Sequence, residues 1–448
     1  MSRFAITPAL LGALLAAHAS AQVVYVDANA STGGDGSSWT KAYSSLSTAL
    51  GAAKRGNTLW VAAGTYRGGF TIPAGVALVG GFESGAARRS ESDPIRRRTN
   101  LDGGGSMRVV EMGADTSLDG FFVVNGSTQS SDGGGGVLIK EGKSTIRNTI
   151  FFANENRGGR AAALHVIGNG DCILENVVVT KSKGFGHAID VTTAKIHAKH
   201  LVVHDNVSNG FHVHSGSTAS MFNCIFSNNS GRGVCHISSN DVMQVENNLF
   251  FGNSISLLHI RGRELRTLAE VNALAYAKNN VEGDPMFVDP ANFDFRVKAG
   301  SPAIDAGIRM DVADQQDLYG GARLLDGTLT GTMLPDMGAA EFTNCSLEMI
   351  GVPTRGNSVQ IVSRSSGAQA IVLFVAAQPL TTPVVIDPMG PLLIDPSPFL
   401  LNFLLPQSAG ATLPIPANVP VGASVAIQAL GIGTGGSNFS NRIDLRVR

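Results

Sequence analysis

The chain has 448 residues, 54 of them glycine, with 15% charged side chains and a formal net charge of −1. Glycine is well above its usual share of ~7%, and charge is sparse. Many turns and few surface charges favour an all-β protein over a helical one, and the balanced charge gives no case for a nucleic-acid partner.

Residues 1–21 read as an export signal. Arg3 supplies the positive start, Phe4 to Ala17 the short apolar stretch, and Ala19-Ser20-Ala21 the small-x-small cleavage pattern. That stretch is too short to span a bilayer, and no later segment reads as a transmembrane helix. The expected location is extracellular or at the cell surface. Strand Val23–Val26 follows, then an amphipathic helix with Leu46, Ala49, Leu50 and Ala53 on one face. Ser44 or Ser45 is its N-cap and Gly56 its stop. Strand Thr58–Val61 then starts a long repetitive region, and the helix covers its open end.

The middle of the chain repeats itself. One strand recurs from Ile146 to Asn154, Leu174 to Ser182, Ala198 to Asn206, Met221 to Asn229 and Val245 to Asn253. It leaves two columns of Asn, each with one exception, which read as structural: Asn tolerates left-handed bends and hydrogen-bonds along its own stack. A second strand recurs at steps of roughly 22–25 residues, the size of one solenoid coil. Helical repeats would need longer amphipathic stretches than this region contains. The expected fold is all-β: a right-handed parallel β-helix over residues 22–343, followed by a small β-sandwich over residues 346–448, where charge falls and apolar residues alternate. An excess of residues near Leu265 to Ala275 interrupts the last coil and reads as a short helix.

In the second strand, Lys140, His165, Asp190, His214, His236 and His259 fall into one column. Alternation puts Ile139, Leu164, Ile189, Val213, Cys235 and Leu258 in the core and that polar column outside. All nine histidines beyond residue 21 lie between His165 and His259, and His212 shares a face with His214. Flanked by His214 and His259, His236 is expected to stay neutral near pH 7, because charged imidazoles one strand apart repel. Cys224 and Cys235 fall in one coil, and the four later cysteines fit no zinc spacing.

Three stretches carry a family resemblance. Tyr25-Val-Asp through Gly34-Asp-Gly-Ser-Ser-Trp39 to Gly56-Asn-Thr-Leu-Trp-Val-Ala-Ala-Gly-Thr-Tyr66 resembles the opening of exported β-helix proteins of the pectin-lyase-like superfamily. The Phe-x-x-Asn steps at Phe151, Phe226 and Phe250 resemble the repeat of polymorphic outer-membrane proteins. Asp284-Pro-Met-Phe-Val-Asp-Pro290, Gly300-Ser-Pro-Ala-Ile-Asp-Ala-Gly307 and Asp336-Met-Gly-Ala-Ala-Glu341 are similar to the closing segment of large bacterial surface proteins of that superfamily. The resemblance implies export and a β-helix but spans lyases, hydrolases, epimerases and adhesins. Neither the carboxylate cluster of a calcium-dependent lyase nor the paired aspartates of a polygalacturonase-type hydrolase is visible.

The leading expectation is a secreted or surface protein that binds polysaccharide along the polar wall, through Lys140, His165, His212, His259 and Arg261. The alternative is a lyase on uronic-acid polymers, with His214 or His236 as base and Asp190 orienting His214. A third reading is a non-catalytic structural or adhesive envelope protein. No cofactor is implied, and no metal site is assigned. Asp305, Asp311, Asp314, Asp317 and Asp326 lack the spacing of a calcium loop and read as turn residues.

Overall fold

The computed structural model describes residues 22–447 except 215, 311–315, 328–332, 344, 351–352, 366–369, 377–378, 387–389, 395–398, 407–409, 434–435 and 440–442. The expected export signal, Asp311 and Asp314 lie outside the described residues.

The repeat region is a solenoid of parallel strands. One wall stacks nine short strands in sequence order, from Gly64–Arg67 through Phe122–Val124, Ile150–Phe152 and Ile225–Ser227 to Val281–Glu282. The other strands of each coil join a larger, mainly parallel sheet, whose longest ladder pairs Val137–Arg147 with Ala161–Glu175. Aliphatic and phenylalanine side chains fill the interior: Phe151, Phe226 and Phe250 are fully buried, and the last two rings stack at 5.5 Å. Burying each such ring contributes about 2–3 kcal/mol.

The nine-residue repeat expected as one strand is two strands around a corner. Arg147 ends one, Ile150 begins the next, and Asn148 between them has φ 45°. Asn176, Asn223 and Asn247 repeat that left-handed bend at φ 54°, 56° and 52°, and His200, the exception in this column, adopts φ 55°. Asn pays the least steric penalty there after glycine. The second Asn column is an amide ladder. Asn206 Nδ2 donates to Asn229 Oδ1 at 3.0 Å, and Asn229 Nδ2 to Asn253 Oδ1 at 2.9 Å. Each amide also ties a backbone group of a neighbouring coil, as Asn229 does at Val203 O, 3.1 Å away.

Both ends are covered. Helix Leu46–Ala52 is capped by Ser45, whose Oγ accepts from Thr48 N at 3.3 Å, and it buries Leu46, Ala49 and Leu50. At the far end, Arg263–Leu265 turns back antiparallel on Leu258–Ile260, and the expected short helix spans Leu268–Asn272.

The closing segment lies on the wall of nine strands, burying Ile150, Val178, Val202 and Ile225 beneath Phe287, Phe295 and Met337. It is fastened by buried carboxylates that accept backbone N–H groups. Asp317 binds Tyr319, Gly321 and Glu341; Asp336 binds Asp305 and Phe342; Glu341 binds Leu325 and Asp336. Arg323, 1% exposed, donates to Gly338 O at 3.1 Å, Ala339 O at 2.9 Å and Asn176 Oδ1 at 2.5 Å, and stands 3.5 Å from Glu341. Beyond it, two antiparallel sheets, one holding Ser358–Ser365 and the other Ala370–Ala376 and Ser424–Gly433, share a core of Leu347, Ile361, Leu373 and Ile427. These sheets are compatible with the expected sandwich.

Candidate functional site

The polar column exists, with different members. Backbone pairing runs Thr71, Glu111, Leu138, His165, Asp190, His212, Cys235, His259. His165, Asp190 and His259 stand where the sequence puts them. Lys140 falls in a bulge between Ile139 and Glu141, and Leu138 takes its place. His214 sits two residues further on, beside Thr192, so Asp190 faces His212 instead. His236 and Cys235 exchange faces. His236 pairs with Val213 and Ile260 on the inward set, while Cys235 pairs with His212 and His259. A one-residue slip moves a side chain to the opposite face, whereas a two-residue slip keeps the face and changes the neighbour. His236 is therefore not flanked by His214 and His259. It is buried near Tyr276, 3.3 Å from the Asp241 carboxylate that braces the turn at Gly216 and Ser217.

The column is also not an open wall. His165, Asp190, His212 and Cys235 are all buried, because a second strip of residues lies over them. His165 Nδ1 meets the Asp132 carbonyl, and Nε2 lies 3.3 Å from Thr192 Oγ1. Arg160 donates to Thr192 Oγ1 at 3.0 Å. The His187 ring stacks on His212 at 3.8 Å with planes 14° apart, and His214 lies 5.4 Å from His212 on its other side. Cys235 Sγ is 3.4 Å from His259 Nδ1, and no disulfide forms among Cys172, Cys224 and Cys235. Lys140 is exposed and paired with Glu111 and Asp132, each at 3.4 Å. Arg261 is exposed on a left-handed bend, with Nη2 3.4 Å from Ser239 O.

The centre of the cluster is Asp190. Its Oδ1 is 3.1 Å from His212 Nδ1 and 3.3 Å from Thr192 Oγ1. Its Oδ2 is buried and has no hydrogen-bond partner; Arg160 Nη1 is 3.8 Å away. Burial works to raise this carboxyl's pKa, but the hydrogen bond and charge of His212 outweigh it and hold the group down at about 2. Burial pushes His187 down to about 3 and also lowers His165, His214 and His259. At neutral pH His165, His187 and His214 present neutral imidazoles around one carboxylate, and His259 lies further along the column beside Cys235.

Two contributors escape a reading by columns. His187 pairs with Ala161 and Asn209, outside the counted column. Phe185, two residues earlier, is 87% exposed, on a stretch where the register with the next coil shifts between Lys183 and His187. The sequence signal for it is Gly184-Phe185-Gly186, since glycines inside a strand mark a bulge.

Among the described residues no helix is long and apolar enough to cross a membrane. A family model described as the right handed beta helix region matches residues 112–255. No curated protein matches the chain. Among solved structures, the chain is similar to the enzymatically active domain of tailspike protein 2 of bacteriophage CBA120, at 10% identity over 94% of this chain and 76% of that one, with a TM-score of 0.27. It is similar to ORF18 of Geobacillus virus E2, at 10% identity over 89% of this chain and 79% of that one, with a TM-score of 0.28. Full-length tailspike protein 2 of an Escherichia coli O157:H7 bacteriophage gives 10% identity, coverages of 94% and 68%, and a TM-score of 0.21. Scores of this size bear on neither activity nor ligand. The stacked registers and the matched region show that the repeat region folds as a right-handed parallel β-helix.

Proposed function

We propose that this protein is exported and binds polysaccharide at the lip formed by Phe185, His187, Arg160 and His214. The observation that carries the reading is Phe185, an aromatic ring left 87% exposed on a bulge beside a cluster of neutral imidazoles and a carboxylate. A sugar offers an apolar face for such a ring and hydroxyls for such polar groups. The buried His212 and His165 back the lip, and Lys140, His259 and Arg261 are further polar groups proposed to contact the polysaccharide. A glycan array tests this. Binding that falls at least ~10-fold in Phe185→Ala supports it, and an absence of binding across neutral and acidic glycans removes it.

The Asp190–His212 contact favours a second reading, eliminative cleavage of a uronic-acid polymer. Asp190 fixes the His212 ring, so the base is His212 or His214 rather than the inward-facing His236. Growth of unsaturated-product absorbance on a uronic-acid polymer, lost in Asp190→Asn, is the expected result. No product from any such polymer excludes cleavage and leaves binding.

A further inference from the structure

We propose that His187, Asp190 and His212 form a binding site for one divalent transition-metal ion, with zinc(II) as the reference ion. One ligand atom from each of the three side chains lies within 4.8 Å of the other two. A second, independent observation points the same way. Asp190 is 1% exposed, and its Oδ2 has no hydrogen-bond partner. A buried carboxylate oxygen without a hydrogen bond is costly, and the Arg160 guanidinium, 3.8 Å away, stands too far off to donate one, so a closer cation held against the carboxylate would satisfy it.

The distances fit. Asp190 Oδ1 and His212 Nδ1 are 3.1 Å apart. Two ligands of a tetrahedral zinc with bonds of ~2.0–2.1 Å stand ~3.3 Å apart. An ion can therefore replace the proton between them, with His212 keeping its other proton on Nε2. His187 must move more. Its ring lies within 14° of parallel to His212, and a metal lies in the plane of an imidazole, so His187 has to tilt out of the stack. The ladder to the next coil is interrupted there, between Lys183 and His187, so fewer backbone hydrogen bonds hold the His187 ring in place.

The donor set selects the ion. Two imidazoles and one carboxylate suit zinc, cobalt, nickel or copper; calcium takes six or more oxygens. Arg160 opposes the ion, with its guanidinium 3.8 Å from Asp190; its side chain is 39% exposed and can turn to solvent by giving up its bond to Thr192. Removing that charge is expected to tighten metal binding, an outcome a purely structural ion pair does not predict. The inference does not depend on the polysaccharide reading.

The test uses the full chain, free of any affinity tag, stripped with chelator and titrated with zinc(II) by calorimetry and with cobalt(II) by visible absorption. Expected are one equivalent bound, at least ~10-fold weaker binding in His187→Ala and in Asp190→Asn, several-fold tighter binding in Arg160→Ala, and no change in His197→Ala, whose ring lies outside the cluster on strand Lys195–Lys199, 2.9 Å from Ser220 Oγ. Should Asp190→Asn fail to fold, His187→Ala, on the partly exposed bulge, decides. The proposal is overturned by no binding at ~1 mM metal, by binding that His187→Ala leaves intact, by preference for calcium, or by a thiolate–cobalt band that moves the ion to Cys235. A glycan-binding result, positive or negative, leaves this outcome untouched.

Discussion

Arg323→Met removes one charge from the buried clasp of the closing segment while keeping most of its apolar volume. The wild-type guanidinium makes three hydrogen bonds, at 2.5, 2.9 and 3.1 Å, and faces Glu341 at 3.5 Å with both side chains 1% exposed. Breaking a buried pair by removing one partner costs about 3–5 kcal/mol, because the other charge is left uncompensated. Glu341→Gln removes the other partner. Arg323→Met with Glu341→Gln is expected to recover at least ~1 kcal/mol of the sum of the single losses, since the carboxylate that faced Arg323 is gone while Asp317 and Asp336 keep their backbone N–H donors. Urea unfolding of the four proteins measures the cycle. Hydrogen exchange at Gly338 and Ala339 shows whether the closing segment detaches before the coils melt. A loss under ~1 kcal/mol for Arg323→Met, or a double variant worse than the sum of the singles, would refute the assignment of Arg323 as the counter-charge of this clasp.

The ladder, the imidazole stack, the lip and the thiols give further outcomes. Asn229→Ala deprives Asn206 N and Val203 O of their partners in the dry interior and is expected to cost at least ~2 kcal/mol in thermal or urea unfolding; a loss below ~0.5 kcal/mol means that water replaces the amide. Burial holds folded His187 at about 3, so the unfolded chain takes up this proton first, and stability is lost as pH falls from about 6.5 towards 3. His187→Gln removes that contribution, and its melting temperature should fall less steeply over that range; equal slopes mean that His187 is not kept neutral by the fold. Phe185→Ala should leave stability within ~0.5 kcal/mol while reducing glycan binding, and a large destabilisation would assign the ring to packing. Burial pushes the Cys224 thiol up to about 12 and Cys235 up to about 11, so native protein should resist alkylation at pH 8, with rapid modification of either pointing to local opening.

The fold was legible because its cause is periodic. Asn at bends, apolar residues at alternate positions and a Ser-capped helix at the open end each follow from local stereochemistry, so counting finds them. The site was only half legible because coils differ in length where they bulge. Counting from Asp190 at a fixed step reaches His214, but the shift between Lys183 and His187 brings His212 opposite Asp190. At the next coil the choice between Cys235 and His236 turns on one residue, and the larger imidazole reads as the outward group. Burial was the other missing part. Alternation says which way a side chain points from its own strand, and nothing about the Arg160, His187 and Asp132 strip laid over it.

The reversal at Arg263–Leu265 acts as a ruler. Each rung of the column from Thr71 to His259 rises by ~4.8 Å, and the next rung, Glu264, belongs to a strand that runs the other way. No further parallel rung can be added past it on that side, so this largely buried track of side chains ends at a fixed stop. A longer track would require new coils inserted upstream of Leu258, which the repeat permits without disturbing either terminus.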